Sequence, residues 1–456
     1  FKQKTAYEIP KRDWSSDVCS SDLSRYSRLA RHAEAARDAE TLLALDPAYP
    51  YALGLLMHSR LHQCDWHDVE NIRARIAEAV GAGARAAHPF GHLVYSDTLA
   101  EQAACARIYA ADQHKPQAAP LYRGERYGHD KIRVAYITGD YFTHAVPFLI
   151  AGVFEAHDRA RFETFGVSYG PNDRSPMRAR LEKGVTHFHD LASASDAQIA
   201  AKLREWEIDI AIDLKGYTGG ARPGIFGYRA APVQVEYLGY PGGMGAPYFD
   251  YMIADATVVP LEQRESYAEQ IVYLPHMYQC NDANRRIAAR PFLRSDLGLP
   301  ETGFVFCCFN GSQKILPETF GVWMRILNKT PQSVLWLLEE HPAAAANLRR
   351  EAEARGIAGE RLVFAKRVPL EEHLARLANA DLVLDTLPYG AHTTASDALW
   401  AGVPIVTRLG KTFAGRVAAS LLTAIGLPEL IAESPDAYEA LARSEEHTSE
   451  LQSRFG

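Results

Sequence analysis

Apolar and polar positions change rhythm along this 456-residue chain. From Ser24 to about Ala111 small and apolar residues recur at helical spacing. The stretch "RHAEAARDAETLLALDPAYPYALGLLMHSRLHQCDWHD" carries Ala33, Ala36 and Ala39, then Leu-x-Leu-Asp-Pro, and a new helix starts beyond Pro47. Residues 112–129 are polar, contain proline and follow no period, which predicts a linker. Thereafter short apolar runs alternate with helical segments. Seven runs ("IRVAYIT", "FETFGVSYG", "THFHDL", "IDIAIDLKG", "VQVEYLGY", "YMIAD", "IVYLP") fall within 130–285. Five more ("FVFCCFN", "SVLWLLEE", "RLVFAKR", "LVLDTLP", "PIVTRLG") fall within 286–442. Such alternation predicts two α/β units in tandem, each with an open, largely parallel sheet covered by helices. Two such units meet at a cleft, and ligands bind at the carboxyl ends of their strands.

The ends fit neither rhythm. Residues 1–23 and 443–456 look like translated sequencing-adapter sequence and are read as non-native. On that reading the natural chain continues beyond about Ala442.

Composition narrows the function. With 47% apolar and 23% charged residues the chain is an ordinary globular one, and its net charge of −7 argues against a nucleic-acid partner. No apolar run reaches the ~18 residues of a membrane helix, and no charged-then-apolar leader opens the chain. Six cysteines, at 19, 64, 105, 280, 307 and 308, form no Cys-x-x-Cys, so neither a disulfide framework nor a zinc site is expected. A cytoplasmic protein without nucleic-acid or membrane partners is the expectation.

Candidate chemistry lies where strands end. "VLDTLPYGAHTTASDALWAGVP" (383–404) closes a strand at Asp385, turns through Pro and Gly, and opens a helix with His392, Thr393 and Thr394. Thr394 and Asp397 have nearly the spacing of a capping box, and Gly402 with Pro404 ends the helix. The same helix mouth is equally an anion site, because its unpaired N–H groups and dipole attract phosphate. His144 follows the first strand, and Lys314 follows Asn310 by four residues, where its charge could meet a phosphate leaving group. Glycine-rich runs at 216–224 and 239–245 permit close backbone approach to a ligand and serve tight turns equally. There is no dinucleotide fingerprint, P-loop or Gly-x-Ser-x-Gly. Nor does Asp-x-Asp occur, the carboxylate cluster with which a nucleotide-dependent transferase would hold a divalent cation. Charge on a diphosphate would instead be met by Lys314, by the basic groups around His373 and Arg376, and by the mouth at His392–Thr394.

Five motifs occur in order: "GYTGGAR" (216–222), "LGYPG" (238–242), "FN…K" (Phe309, Asn310, Lys314), "PLEEHLAR" (369–376) and "HTTASDALWAGVP" (392–404). Together they resemble the catalytic region of the protein O-GlcNAc transferase and Spindly-type glycosyltransferases, over roughly residues 130–442. The helical segment before it resembles the end of one tetratricopeptide repeat running into the next, which would be a stub of a longer array; an unrelated helical hairpin is the alternative. The resemblance implies a GT-B fold, two Rossmann-like lobes facing a cleft, and an inverting, metal-independent transfer of a sugar from a nucleotide to Ser or Thr hydroxyls of proteins. By resemblance Lys314 stabilises the leaving diphosphate, and His392, Thr393 and Thr394 bind it. Asp397 then serves the ribose, and His373 and Arg376 the nucleotide. Gly239 and Pro241 line the sugar pocket, His144 is a candidate general base beside the acceptor (with the donor phosphate as rival), and Asp213 and Thr218 stand on the sugar and acceptor side. No cofactor is implied beyond the donor substrate, with UDP-GlcNAc first and UDP-glucose or GDP-fucose as alternatives. The partner would be a protein or peptide gripped by the helical repeats. The chain departs from animal members at Gly311 and Leu370, where those carry glutamine and lysine. Family members also continue with helices that pack back on the lobes, so the chain as it stands is expected to be destabilised or inactive. Two rival readings remain at this point: an enzyme of the same fold acting on a small molecule or glycan, and a repeat scaffold with an inactive catalytic region.

Overall fold

The computed structural model describes residues 31–444; the segment 1–23, the first residues (24–30) of the expected helical stretch and all of 443–456 beyond Ser444 lie outside the described residues. The helical layer comprises α1 (His32–Leu45), α2 (Ala52–His62), α3 (Val69–Gly81), α4 (Pro89–His92) and α5 (Leu99–Gln113). Each longer helix buries a stripe: α1 buries Ala35, Ala36, Ala39, Leu42 and Leu43, the i, i+3, i+4, i+7 spacing of an amphipathic helix. The helices α1 and α2 pack on each other.

This layer is bonded to the α/β lobes rather than projecting from them. Ser312 Oγ donates to the carbonyl of His62 (2.9 Å), Asn347 Nδ2 to that of Gln63 (2.8 Å), and Arg73 pairs with Glu318 at 2.9 Å. The segment after α5, expected to be a linker, is fastened to the first lobe. Gln117, Leu121 and Tyr122 donate backbone N–H groups to the carbonyls of Gly227, Tyr228 and Arg229.

The first lobe holds seven strands: β1 (Ile132–Thr138), β2 (Phe162–Ser168), β3 (His187–Asp190), β4 (Ile210–Asp213), β5 (Val233–Glu236), β6 (Tyr251–Ala254) and β7 (Gln270–Tyr273). All pair in parallel, in the order β3-β2-β1-β4-β5-β6-β7. The second lobe holds β8 (Val305–Cys308), β9 (Val334–Leu338), β10 (Leu362–Ala365), β11 (Leu382–Leu384), β12 (Ile405–Arg408) and β13 (Ile431–Ala432). They too are parallel, in the order β10-β9-β8-β11-β12-β13. All twelve apolar runs are strands. The thirteenth, β13, has two residues and no run long enough to betray it.

Both orders reverse direction once, between β1 and β4 and between β8 and β11. At such a switch point the connections leave to opposite faces and a crevice opens at the strands' carboxyl ends. The loops leaving those four strands carry His144, Thr218, Lys314 and the His392 helix mouth. Large apolar groups such as Trp323, Trp336, Phe306 and Phe320 fill the second lobe behind its loops and hold them.

Candidate active site

The two lobes and α4 enclose a cleft of about 490 Å³. Of the residues singled out from the sequence, His144, Thr218, Gly239, Pro241, Lys314, His392, Thr393 and Thr394 line it. Joining them are Asp140, Lys215, Phe90, Tyr278, Gln279 and Tyr389, none of which the motifs pointed to.

The C-lobe wall is built on Asp385, at the end of β11. Its carboxylate is buried and accepts from Ala391 N (2.6 Å), Thr386 N (2.7 Å) and Thr407 Oγ1 (2.6 Å). That one side chain folds the 385–391 turn back on itself and sets the start of helix α12 (Thr393–Trp400). His392 is the N-cap residue, and no side chain caps the first turn. The capping-box spacing is therefore unused. Thr394 Oγ1 instead donates to Asn310 Oδ1 (2.5 Å), while Asn310 Nδ2 donates to Thr386 Oγ1 (2.8 Å) and more weakly to Asp385 (3.3 Å). The first-turn N–H groups of α12 are left to whatever occupies the cleft.

Lys314 follows β8 and enters this wall. Its ammonium donates to the Gly390 carbonyl (3.0 Å) and lies 3.7 Å from the centroid of the Tyr389 ring. Burial pulls its pKa down to about 8, against the attraction of Asp385. His392 Nε2 donates to the Ala414 carbonyl (2.9 Å), and burial with the nearby Lys314 charge lowers its pKa to about 3. A neutral imidazole, an ammonium and an uncapped helix mouth thus face one volume, which is an arrangement for a polyanion.

The opposite wall comes from the first lobe. His144 caps helix α6 (Ala145–Ala156), its Nδ1 lying 3.5 Å from Val146 N and 3.7 Å from Asp140 Oδ2. Lys215 pairs with Asp140 at 2.6 Å. Thr218 Oγ1 donates to the Lys215 carbonyl (2.8 Å), and Gly216 between them has φ +54°, where a Cβ would press on Tyr240 at 2.3 Å. Gly239 owes its place to packing: a Cβ there would meet the Leu214 carbonyl oxygen at 2.0 Å.

Four expected site residues lie off the cleft wall. Asp213 is buried at the end of β4 and accepts from Lys215 N (2.8 Å), and burial raises its carboxyl to about 6. It holds the turn that presents Lys215 and Thr218. His373 and Arg376 form a pair on helix α11 (Leu370–Leu377), with Arg376 Nη2 3.1 Å from His373 Nδ1 and its guanidinium over the Phe309 ring. His373, but not Arg376, lines a narrow crevice with Phe309 and Asn310 that reaches Thr394. Asp397 is buried on the far face of α12, paired with Arg285 at 2.7 Å, and burial raises its carboxyl to about 6.

Asp140 and Lys215 could have been found by their place, since each follows an apolar run directly. Phe90, delivered by the helical layer, carried no signal. Among the described residues no cluster of His, Cys, Asp and Glu is arranged to hold a metal, and no helix is long and apolar enough to cross a membrane.

Two parallel Rossmann-like lobes around a cleft of this chemistry define a GT-B glycosyltransferase architecture. The glycosyl transferase family 41 profile matches residues 64–293 and 286–454, the second match running into the closing segment expected to be non-native. The chain belongs to glycosyl transferase family 41. It is 38% identical over 336 residues to the probable UDP-N-acetylglucosamine–peptide N-acetylglucosaminyltransferase SEC of Arabidopsis thaliana, covering 72% of this chain and 34% of that protein. It is 28% identical to the corresponding Caenorhabditis elegans transferase, covering 83% of this chain and 44% of that one. A mutant form of the Thermobaculum terrenum O-GlcNAc transferase superposes with a TM-score of 0.73 at 26% identity, over 98% of this chain and 93% of that structure. The chain spans about a third to under a half of the length of these two curated relatives.

Proposed function

We propose that this protein is an inverting, metal-independent glycosyltransferase that moves a sugar, first of all GlcNAc from UDP-GlcNAc, to Ser or Thr hydroxyls of proteins. The observation that carries the reading is the C-lobe wall: Lys314 and the uncapped mouth of α12 face the same cleft as His144. The family and the names of the relatives support it.

On this reading the donor diphosphate sits against the α12 mouth with Lys314 beside the leaving oxygen. Negative charge grows on that oxygen as the C1–O bond breaks, and donors already fixed in place stabilise it without reorganising. Lys314 supplies the charge that a divalent cation supplies elsewhere. Neutral His392 adds polarity without competing for the ammonium. From the opposite wall the acceptor hydroxyl attacks C1, and His144 takes its proton. Attack from the face opposite the leaving group inverts the anomeric centre.

The test is incubation with a Ser/Thr-containing peptide and, in parallel, UDP-GlcNAc, UDP-glucose or GDP-fucose, read by mass spectrometry of the peptide. Peptide gaining one HexNAc confirms the reading; gain of a hexose or deoxyhexose moves the donor. Peptide capture without transfer from any donor would favour the scaffold reading, and transfer only to free sugars the small-molecule one.

A further inference from the structure

The cleft contains a charged pair that the transfer just described leaves unused. Lys215 Nζ lies 2.6 Å from Asp140 Oδ1, and both residues are nearly enclosed, 5% and 3% exposed. Asp140 leaves β1 and Lys215 leaves β4, the adjacent strands at the first lobe's switch point. The other carboxylate oxygen, Oδ2, stands 3.7 Å from His144 Nδ1. One carboxylate is therefore shared between a lysine in contact and an imidazole just beyond it.

An unshared carboxylate at that distance would favour the imidazolium, and an imidazolium cannot accept a proton. A lysine bound to the same carboxylate opposes that pull. We propose that Lys215 is a positioning residue that, through Asp140, keeps His144 in its neutral, proton-accepting form. The inference rests on the reading of His144 as the base of a transferase.

The surroundings of His144 are consistent with this balance. Burial lowers its pKa, Asp140 raises it and Lys215 lowers it, for a net fall from the ordinary value. Asp173, on the loop after β2, has its carboxylate engaged by Thr143 N (2.8 Å), and the Phe142 ring on His144's own loop, 5.5 Å away, is uncharged. Across the cleft stand Lys314 and the neutral His392. In the tautomer that carries its proton on Nδ1, which gives up the 3.5 Å contact from Val146 N, Nδ1–H faces Asp140 Oδ2 and Nε2 is left for the acceptor. As the hydroxyl oxygen bonds to C1, its proton passes to Nε2, and the electron pair of the breaking C1–O bond leaves with the diphosphate.

The experiment is an NMR titration of the His144 ring protons, identified by their loss in His144→Gln, in the wild type, Lys215→Met, Lys215→Arg and Asp140→Asn. In Lys215→Met the midpoint should rise by roughly one pH unit, with the acidic limb of kcat/KM for transfer moving up alongside it. Lys215→Arg should restore both, and Asp140→Asn should lower the midpoint. A purely structural lysine would change the melting temperature and leave the midpoint alone. An unmoved midpoint in folded Lys215→Met overturns the proposal; if that variant does not fold, an unmoved midpoint in Asp140→Asn does so. The titration needs no donor. A wild type inactive in transfer would therefore sink the functional reading without touching the charge relation.

Discussion

The ammonium of Lys314 lies against the face of Tyr389, 3.7 Å from the ring centroid, while it donates to the carbonyl of the next residue, Gly390. These two contacts aim a buried charge along the cleft wall, where the Asp385 carboxylate offsets only part of the cost of burying it. Burial has moved the group from its ordinary 10.5 to about 8, so the folded protein disfavours the protonated form. Below pH 8 both folded and unfolded chains carry that proton, and the folded state bears the full cost. Between pH 8 and 10.5 the unfolded chain binds more protons, so this group's penalty fades as pH rises.

Lys314→Met should therefore raise the melting temperature of the ligand-free protein at pH 7 by roughly 2–4 °C, with the gain shrinking towards pH 10. The same variant should lose about tenfold to hundredfold in UDP affinity, the worth of a hydrogen bond to a charged group. Melting curves across pH beside nucleotide titrations read both effects. A destabilised variant that still binds would contradict the account.

Asp385 answers why an acid stands at the end of an apolar strand: it organises the turn and the helix mouth together. Asp385→Ala leaves the N–H groups of Ala391 and Thr386 and the hydroxyl of Thr407 without their acceptor, and should cost roughly 3 kcal/mol. Asp385→Asn should cost about half as much, because its amide oxygen still accepts. Urea unfolding measures both, and a neutral Asp385→Ala would refute the role.

The hydroxyl of Thr394 ties α12 to Asn310, bringing the β8 and β11 exits together. Thr394→Val keeps the volume and breaks that link. We expect about a tenfold loss of UDP affinity, with Thr394→Ser near wild type and helix content unchanged by circular dichroism. A loss of helix with affinity kept would show the residue to be a cap after all.

Arg285 and Asp397 form a buried pair. Arg285→Met strands the carboxylate and should cost about 3–5 kcal/mol, whereas Arg285→Met with Asp397→Leu should recover most of it. If Asp397 serves the ribose, the double variant regains stability without regaining UDP affinity. Affinity returning with stability would remove Asp397 from the donor site.

The strands were legible because parallel strands covered on both faces are unbroken apolar runs, as in "IRVAYIT" and "SVLWLLEE". The residues at their ends were legible because chemistry gathers where such strands stop. Hidden from the sequence was strand order: Asp140 and Lys215 are 75 residues apart and meet only because β1 and β4 are neighbours. Thr394 was misleading for a similar reason, since its partner Asn310 lies 84 residues away and outcompetes the local cap. The docking of the helical layer, and with it Phe90, depends on tertiary contacts that no periodicity records.

On the proposed function, Lys314 and the His392–Thr394 helix mouth hold the donor diphosphate without a metal. Calorimetric titration of UDP into the wild type and Lys314→Met, with and without a divalent-cation chelator, tests it most directly. Wild-type binding should be unchanged by the chelator and strongly weakened in the variant. Binding that disappears with the chelator, or survives the loss of Lys314, would contradict it.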